Sequence, residues 1–196
     1  DGHGYWFLVR GSDSIYGSSV SSYSSLLSAE IRADGVSRRE LADAPRLVVD
    51  PYSLSENDRL VVGIASYADT WSPDPLVGYT DLMAIDRESG EARRVTTGRR
   101  LYHSALAPDG KSVAAVERVG AYSRLVLVDL GTGEVSVAWE PDSTHMSGPA
   151  VSPDGSTVAL TASREGEQDL YAVSLQDGSV AQLTRSEGVA EYFPVY

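Results

Sequence analysis

The sequence contains no cysteine. That removes disulfides, thiolate chemistry and cysteine-ligated zinc together, and it leaves the compartment open, because secreted proteins also do without disulfides. Lysine is almost missing as well: Lys111 is the single one among 16 basic residues, a bias of coding rather than of chemistry. Positive charge is short overall, with 28 acidic side chains, a net charge of −12 and a pI near 4.6. So acidic a surface repels phosphate backbones and anionic headgroups, which excludes nucleic-acid and simple membrane-surface binding. Long apolar runs are lacking too. The longest, Tyr5-Trp6-Phe7-Leu8-Val9, has the length of a strand and falls far short of the ~18 residues that cross a bilayer. No membrane insertion is expected. The first residue is Asp1, with no basic n-region or apolar h-region behind it, and Glu191 to Tyr196 stops inside an element. A mature form or a slice of something longer is expected.

What is present is enough apolar material for a packed core: 42% hydrophobic against 22% charged over 196 residues, the profile of one ordinary domain. The organising signal is a repeat. Ala107-Pro108-Asp109-Gly110-Lys111-Ser112-Val113-Ala114 is matched by Ser152-Pro153-Asp154-Gly155-Ser156-Thr157-Val158-Ala159, an offset of 45. The same offset carries Leu125 to Leu170, Leu130 to Leu175, Gly133 to Gly178 and Pro149 to Pro194. Two earlier copies are more worn. Leu82 to Gly90 matches Leu125 to Gly133 at an offset of 43, and Leu27 to Gly35 matches the Leu82 segment at 55. The wider spacing implies insertions between strands, where repeat arrays place them.

Each repeat reads as four short strands. In the last they are Pro149 to Val151, Thr157 to Thr161, Leu170 to Leu175 and Val180 to Leu183. β-Branched and aromatic residues suit a pleated surface, and no segment keeps a helical period. Ser-Pro-Asp-Gly turns the chain for three reasons: proline fixes φ, aspartate bonds its own backbone, and glycine accepts positive φ. Asp177-Gly178 then turns the third strand into the fourth. Repeated four-stranded units of about 40–45 residues predict an all-β propeller of four antiparallel blades. The single propeller domain 1–196 divides into blades of about 1–43 plus 191–196, 44–98, 99–141 and 142–190.

Ser152-Pro153-Asp154-Gly155, Val158-Ala159-Leu160, Asp169-Leu170-Tyr171, Gly178 and Leu183-Thr184 resemble the repeats of TolB-type bacterial propellers. They also resemble those of prolyl-oligopeptidase-type propellers. The likeness is close over 102–196 and looser over 1–101. Blade two departs from it: Asp50-Pro51-Tyr52-Ser53-Leu54 stands where the compact turn is expected, and a stretch from Ala68 to Thr80 interrupts the sheet. Neither the WD dipeptide nor the sialidase-type Asp box is present.

Chemistry-bearing residues are few. His3, His103 and His145 sit in three different repeats without the i, i+4 spacing of a helical metal site. His103 and His145 are expected in the connections that lead into blades three and four. Gly-x-Ser-x-Gly does not occur, so no Ser-His-Asp hydrolase can be built and no catalytic residue is assigned. Asp34, Asp109, Asp154 and Asp177 recur in equivalent turns, which argues turn chemistry rather than an unlike catalytic pair. Asp69, Asp74 and Asp81 lack the spacing of an EF-hand loop. No metal and no cofactor is assigned.

The long connections remain. Gly11 to Ser24 and Ser66 to Thr80 are both expected on the face opposite the Asp-Gly turns, carrying Tyr16, Tyr23, Tyr67, Trp71 and Tyr79. Aromatic residues on scaffolded loops are common material of recognition surfaces, although the same rings could fold back to cap their own blades. With His103 and His145 they form the expected partner-binding set. The resemblance implies a non-catalytic scaffold for protein recognition in the periplasm or another extracytoplasmic space. Two alternatives are an accessory or gating propeller of a hydrolase whose catalytic domain lies elsewhere, and a carbohydrate or small-ligand binding module. One further expectation concerns closure. By register the first blade lacks its innermost strand, so residues 191–196 are expected to complete it, within one chain or by exchange in a homodimer.

Overall fold

The computed structural model describes residues 5–10, 14–19, 25–32, 35–43, 53–54, 60–66, 80–86, 88–164, 166–185, 191 and 194, with side chains from residue 60 onward, Ser66 excepted. Among the described residues sixteen strands form four sheets. The first holds β1 (Tyr5–Arg10), β2 (Ser14–Ser19), β3 (Ser25–Arg32) and β4 (Gly35–Asp43). The second holds β5 (Ser53–Leu54), β6 (Leu60–Ser66), β7 (Thr80–Asp86) and β8 (Ala92–Arg94). The third holds β9 (Leu101–Leu106), β10 (Ser112–Val119), β11 (Tyr122–Asp129) and β12 (Val135–Trp139). The fourth holds β13 (His145–Val151), β14 (Thr157–Arg164), β15 (Glu167–Ser174) and β16 (Val180–Gln182). In every sheet each strand pairs antiparallel with its neighbour in sequence. The chain divides into two compact units, Asp1–Arg99 and Arg100–Tyr196, of two sheets each.

The first sheet corrects the expected strand assignment. Tyr5–Arg10 is the first strand rather than the second, and Ser14–Ser19, read from sequence as loop, is the second. Serine and glycine are poor strand formers alone. Here β2 is bonded on both flanks, Ile15 opposite Arg10 and Ala29, and sheet context overrides propensity. The sheet therefore has four strands without residues 191–196, which removes the reason given for a strand exchange. Tyr192, Phe193, Val195 and Tyr196 lie outside the described residues. In the second sheet, Ser53 and Leu54 are the first strand, opposite Val62 and Val61, rather than part of a turn.

The Asp-Gly turns are built as their chemistry requires. Asp154 Oδ1 accepts from the Ser152 hydroxyl (2.6 Å), the Ser156 N–H (3.0 Å) and the Ser156 hydroxyl (2.8 Å). Asp177 accepts from the Ser179 N–H at 3.0 Å and hydroxyl at 2.7 Å, and Asp109 from the Lys111 N–H at 2.8 Å. Asp86 and Asp129 do the same in their turns. Gly155 and Gly178 both have φ of +72°, a region closed to most L-residues. In the third and fourth sheets these turns join first to second and third to fourth strands, so they gather at one end of each.

Packing follows the alternation. In the second unit Val158, Leu160 and Ala162 of β14 alternate toward Ala114, Val116 and Leu125 of the third sheet, with Met146, Tyr171 and Val173. Trp139 and Tyr171 close this layer, ring centroids 5.4 Å apart. Full burial of each Leu or Val here contributes roughly 1.5–3 kcal/mol. In the first unit Val61, Val62, Ile64, Leu82 and Ile85 are fully buried.

A candidate recognition surface at one end of the third and fourth sheets

The end of these sheets away from the Asp turns is differently made. There β9 begins, β10 turns into β11, and β13 begins. The two sheets are joined at this end by side chains. Tyr102 donates from its hydroxyl to the Met146 carbonyl at 3.2 Å. Ser123 Oγ accepts from the Met146 N–H at 2.6 Å and donates to the Thr144 carbonyl at 3.3 Å. Both polar groups of Met146 are thus held by the neighbouring sheet. Burial pushes the Tyr102 phenol above its usual range, opposed by the Ser123 hydroxyl and the Arg118 charge.

Around that clamp lie the groups with binding chemistry. The His103 ring meets the Tyr102 ring edge-on at 5.3 Å, and the Arg118 guanidinium lies over Tyr102, 5.9 Å from its centroid. Arg118 also donates its backbone N–H to the Arg100 carbonyl at 2.9 Å, which ties the end of β10 to the residue before β9. His145 tilts against Tyr122 at 5.8 Å, and Tyr122 and Val119 are 44% and 42% exposed. Nearby, Arg124 is committed: it donates to buried Glu117 at 2.8 Å and to Glu140 at 3.1 Å. Imidazole, guanidinium and exposed aromatic surface in one place suit recognition of a polar chain. Among the described residues no group of three or more His, Asp or Glu side chains could hold a metal, and no helix is long and apolar enough to cross a membrane.

His103 and His145, expected in connections, are strand residues. His103 is the bulge of β9: Tyr102 opposes Val116 and Ser104 opposes Ala115, leaving His103 unmatched with φ of +60°. His145 opens β13 opposite Ser163. Tyr16, expected in a long connection, lies within β2 between Val9 and Ser28. Tyr23, Tyr67, Trp71 and Tyr79 lie outside the described residues. Sequence reasoning missed Tyr102, Arg118, Tyr122 and Ser123, because each sits in or beside an ordinary strand and gains meaning only through its neighbours.

It also missed an internal clasp. Asp81, 0% exposed, accepts from Arg94 Nη2 (2.6 Å) and Nε (3.2 Å), Thr96 Oγ1 (2.9 Å), and the N–H groups of Gly98 and Arg99 (3.0 Å each). Thr96 Oγ1 in turn accepts from the Leu82 N–H at 3.0 Å. The fourth sheet repeats the device with Asp169, Gln182 and Thr184: Gln182 donates to Asp169 at 2.8 Å, and Thr184 Oγ1 accepts from the Leu170 N–H at 2.9 Å. Thr184 also donates to Glu191. The signal was present as a common offset of 88 from Asp81, Arg94 and Thr96 to Asp169, Gln182 and Thr184. This bonding makes Asp81 a strand-end tie.

Four-stranded antiparallel meanders recurring at this spacing define a β-propeller segment. Solved structures agree. TolB from Acinetobacter baumannii superposes with a TM-score of 0.71 at 18% identity, over 92% of this chain and 42% of its own. A puromycin-hydrolyzing peptidase from Mycobacterium tuberculosis gives 0.71 at 15% identity, over 94% of this chain and 30% of its own. A prolyl endopeptidase gives 0.64 at 17% identity, over 95% and 30%. Among curated proteins, dipeptidyl-peptidase 5 of Porphyromonas gingivalis is 26% identical over 133 residues, 64% of this chain and 19% of its own length. No family model matches the chain. The chain therefore spans less than half of each of these relatives. The expected likeness to TolB and prolyl-endopeptidase-type propellers is borne out, and at these identities it shows the fold.

Proposed function

We propose that this chain is a non-catalytic recognition segment of a β-propeller that binds a protein partner across the sheet ends carrying Tyr102, His103, Arg118, Tyr122 and His145. The observation that carries this reading is the contrast between the two ends. One is closed by aspartates engaged in their own turns, while the other presents exposed rings and a guanidinium. The expected aromatic set of the long connections, Tyr67, Trp71 and Tyr79 between β6 and β7, belongs by strand order to the equivalent end of the second sheet. The TolB likeness supports an extracytoplasmic place of work for the segment. A photo-crosslinking residue at position 122 should give partner adducts in the cells that make the protein, and the same residue at position 156 should give none. Equal labelling from both positions removes the reading.

A second reading is favoured by one observation, the sequence match to a dipeptidyl-peptidase. Here the segment is the accessory propeller of a hydrolase, and the same surface admits or orients substrate peptides. A hydrolase domain in the same reading frame supports it; a frame encoding propeller repeats alone removes it.

A further inference from the structure

His103 is placed at a cost its sister blade avoids. The residue 45 positions on is Gly148, also at a bulge of the first strand, where the register of β13 shifts between Ser147 and Ala150. Both bulge residues are left-handed, with φ of +60° at His103 and +57° at Gly148. The fold thus requires this conformation at the bulge in both sheets. Glycine meets it freely, whereas a side chain there is strained. Strain of this kind persists where the side chain is needed for something else.

Arg118 supplies the second observation. Arg124 is bonded to two carboxylates. By contrast, Arg118 is exposed, lies over the Tyr102 ring and has no carboxylate in salt-bridge reach among the described residues. Tyr102 donates its hydroxyl to the Met146 carbonyl, which leaves its ring as a platform for the neighbouring groups. An imidazole carried on a left-handed bulge and a guanidinium outside any salt bridge among the described residues therefore both lie against the Tyr102 ring.

We propose, resting on the recognition reading above, that Arg118 and His103 form a carboxylate-binding subsite for an extended peptide, with Tyr122 and His145 as the apolar wall beside it. A guanidinium fork matches a carboxylate in two parallel hydrogen bonds. The chain's net charge of −12 selects against polyanions, since each further negative charge is repelled by the whole molecule. A singly charged group on a peptide bears the least of that repulsion. The carboxylate comes from a chain terminus or from an Asp or Glu side chain.

The three histidines make the test direct by imidazole NMR of the 196-residue chain, with the His103 signal identified by its loss in His103→Gly. The probes are acetyl-tetraalanine as free acid and as amide, and acetyl-Ala-Ala-Glu-Ala-Ala-amide against its Gln counterpart. A saturable His103 shift with the free acid supports a terminal carboxylate, and one with the Glu peptide supports a side-chain carboxylate. Arg118→Gln should weaken either by about tenfold or more. His103→Gly should abolish the binding, read in that variant at the His145 signal, while raising the unfolding midpoint by about 2–4 °C. Equal shifts from the charged and uncharged probes overturn the proposal, as does the absence of any shift. A lowered midpoint in His103→Gly overturns the strain argument. If the peptides fail while the crosslinker at position 122 still labels a partner, the subsite is wrong and the recognition surface stands; failure of both removes the two together.

Discussion

Replacing Asp81 with alanine separates the worth of a buried charge from that of a strand-end tie. Its carboxylate is fully buried and accepts five hydrogen bonds, two of them from Arg94, whose side chain is 17% exposed. Alanine takes two hydrogen bonds from the Arg94 guanidinium, which keeps the one from Nε to the Thr96 carbonyl, and it strands two backbone N–H groups and a threonine hydroxyl. Removing one partner of a buried pair costs about 3–5 kcal/mol, so Asp81→Ala should destabilise the second sheet by about 4 kcal/mol. Asp169→Ala removes the equivalent tie, to which the neutral Gln182 donates. Its cost should be about 1–3 kcal/mol. Native-state hydrogen exchange reads each sheet at equivalent amides. The Val95 N–H bonds the Leu82 carbonyl at 2.8 Å, and the Leu183 N–H bonds the Leu170 carbonyl at 2.8 Å. Protection at Val95 should fall by about three orders of magnitude in Asp81→Ala. An equal or larger local loss in Asp169→Ala, or a loss under ~1 kcal/mol in Asp81→Ala, would refute the reasoning.

Four further outcomes are expected. Hydrogen bonds from Ser152 and Ser156 hold the Asp154 carboxyl at about 2, and those from Ser174 and Ser179 hold Asp177 at about 2. Both lie below the unfolded value near 3.9, so the stability they contribute is present above that value and lost as pH falls through about 2. Denaturant titrations at pH 5 and pH 2 should therefore differ less in an Asp154→Asn, Asp177→Asn double variant. At Gly155 and Gly178 an added Cβ meets no atom within 4 Å, so alanine should cost only the φ penalty, about 1–2 kcal/mol each by chemical denaturation. Leu160→Ala should cost about 2–5 kcal/mol, because Leu160 is fully buried in the layer between the third and fourth sheets; a cost under ~1 kcal/mol would remove it from the core. If the long connection of the second sheet contacts the partner, Trp71→Ala and Tyr79→Ala should weaken binding by about 2 kcal/mol at an unchanged unfolding midpoint.

The sequence by itself determined the repeat, its four strands and its turns, since these are local. An aspartate bonding the next residues, a glycine at positive φ and a period-two run of Val, Ala and Leu are written within a few positions, and repetition multiplies the signal. It did not determine the first sheet. There Ser14–Ser19 carries no local mark of a strand and becomes one by lying between β1 and β3, so local pattern alone sets the whole blade one strand out of register. Nor could it assemble the candidate surface. His103 and His145 were visible as residues, but Tyr102, Arg118 and Tyr122 look like ordinary strand residues until β9, β10, β11 and β13 bring their ends together. The strain at His103 is also a tertiary fact. A bulge is set by the pairing of β9 with β10, and only that pairing forces a histidine into the conformation that Gly148 takes without cost.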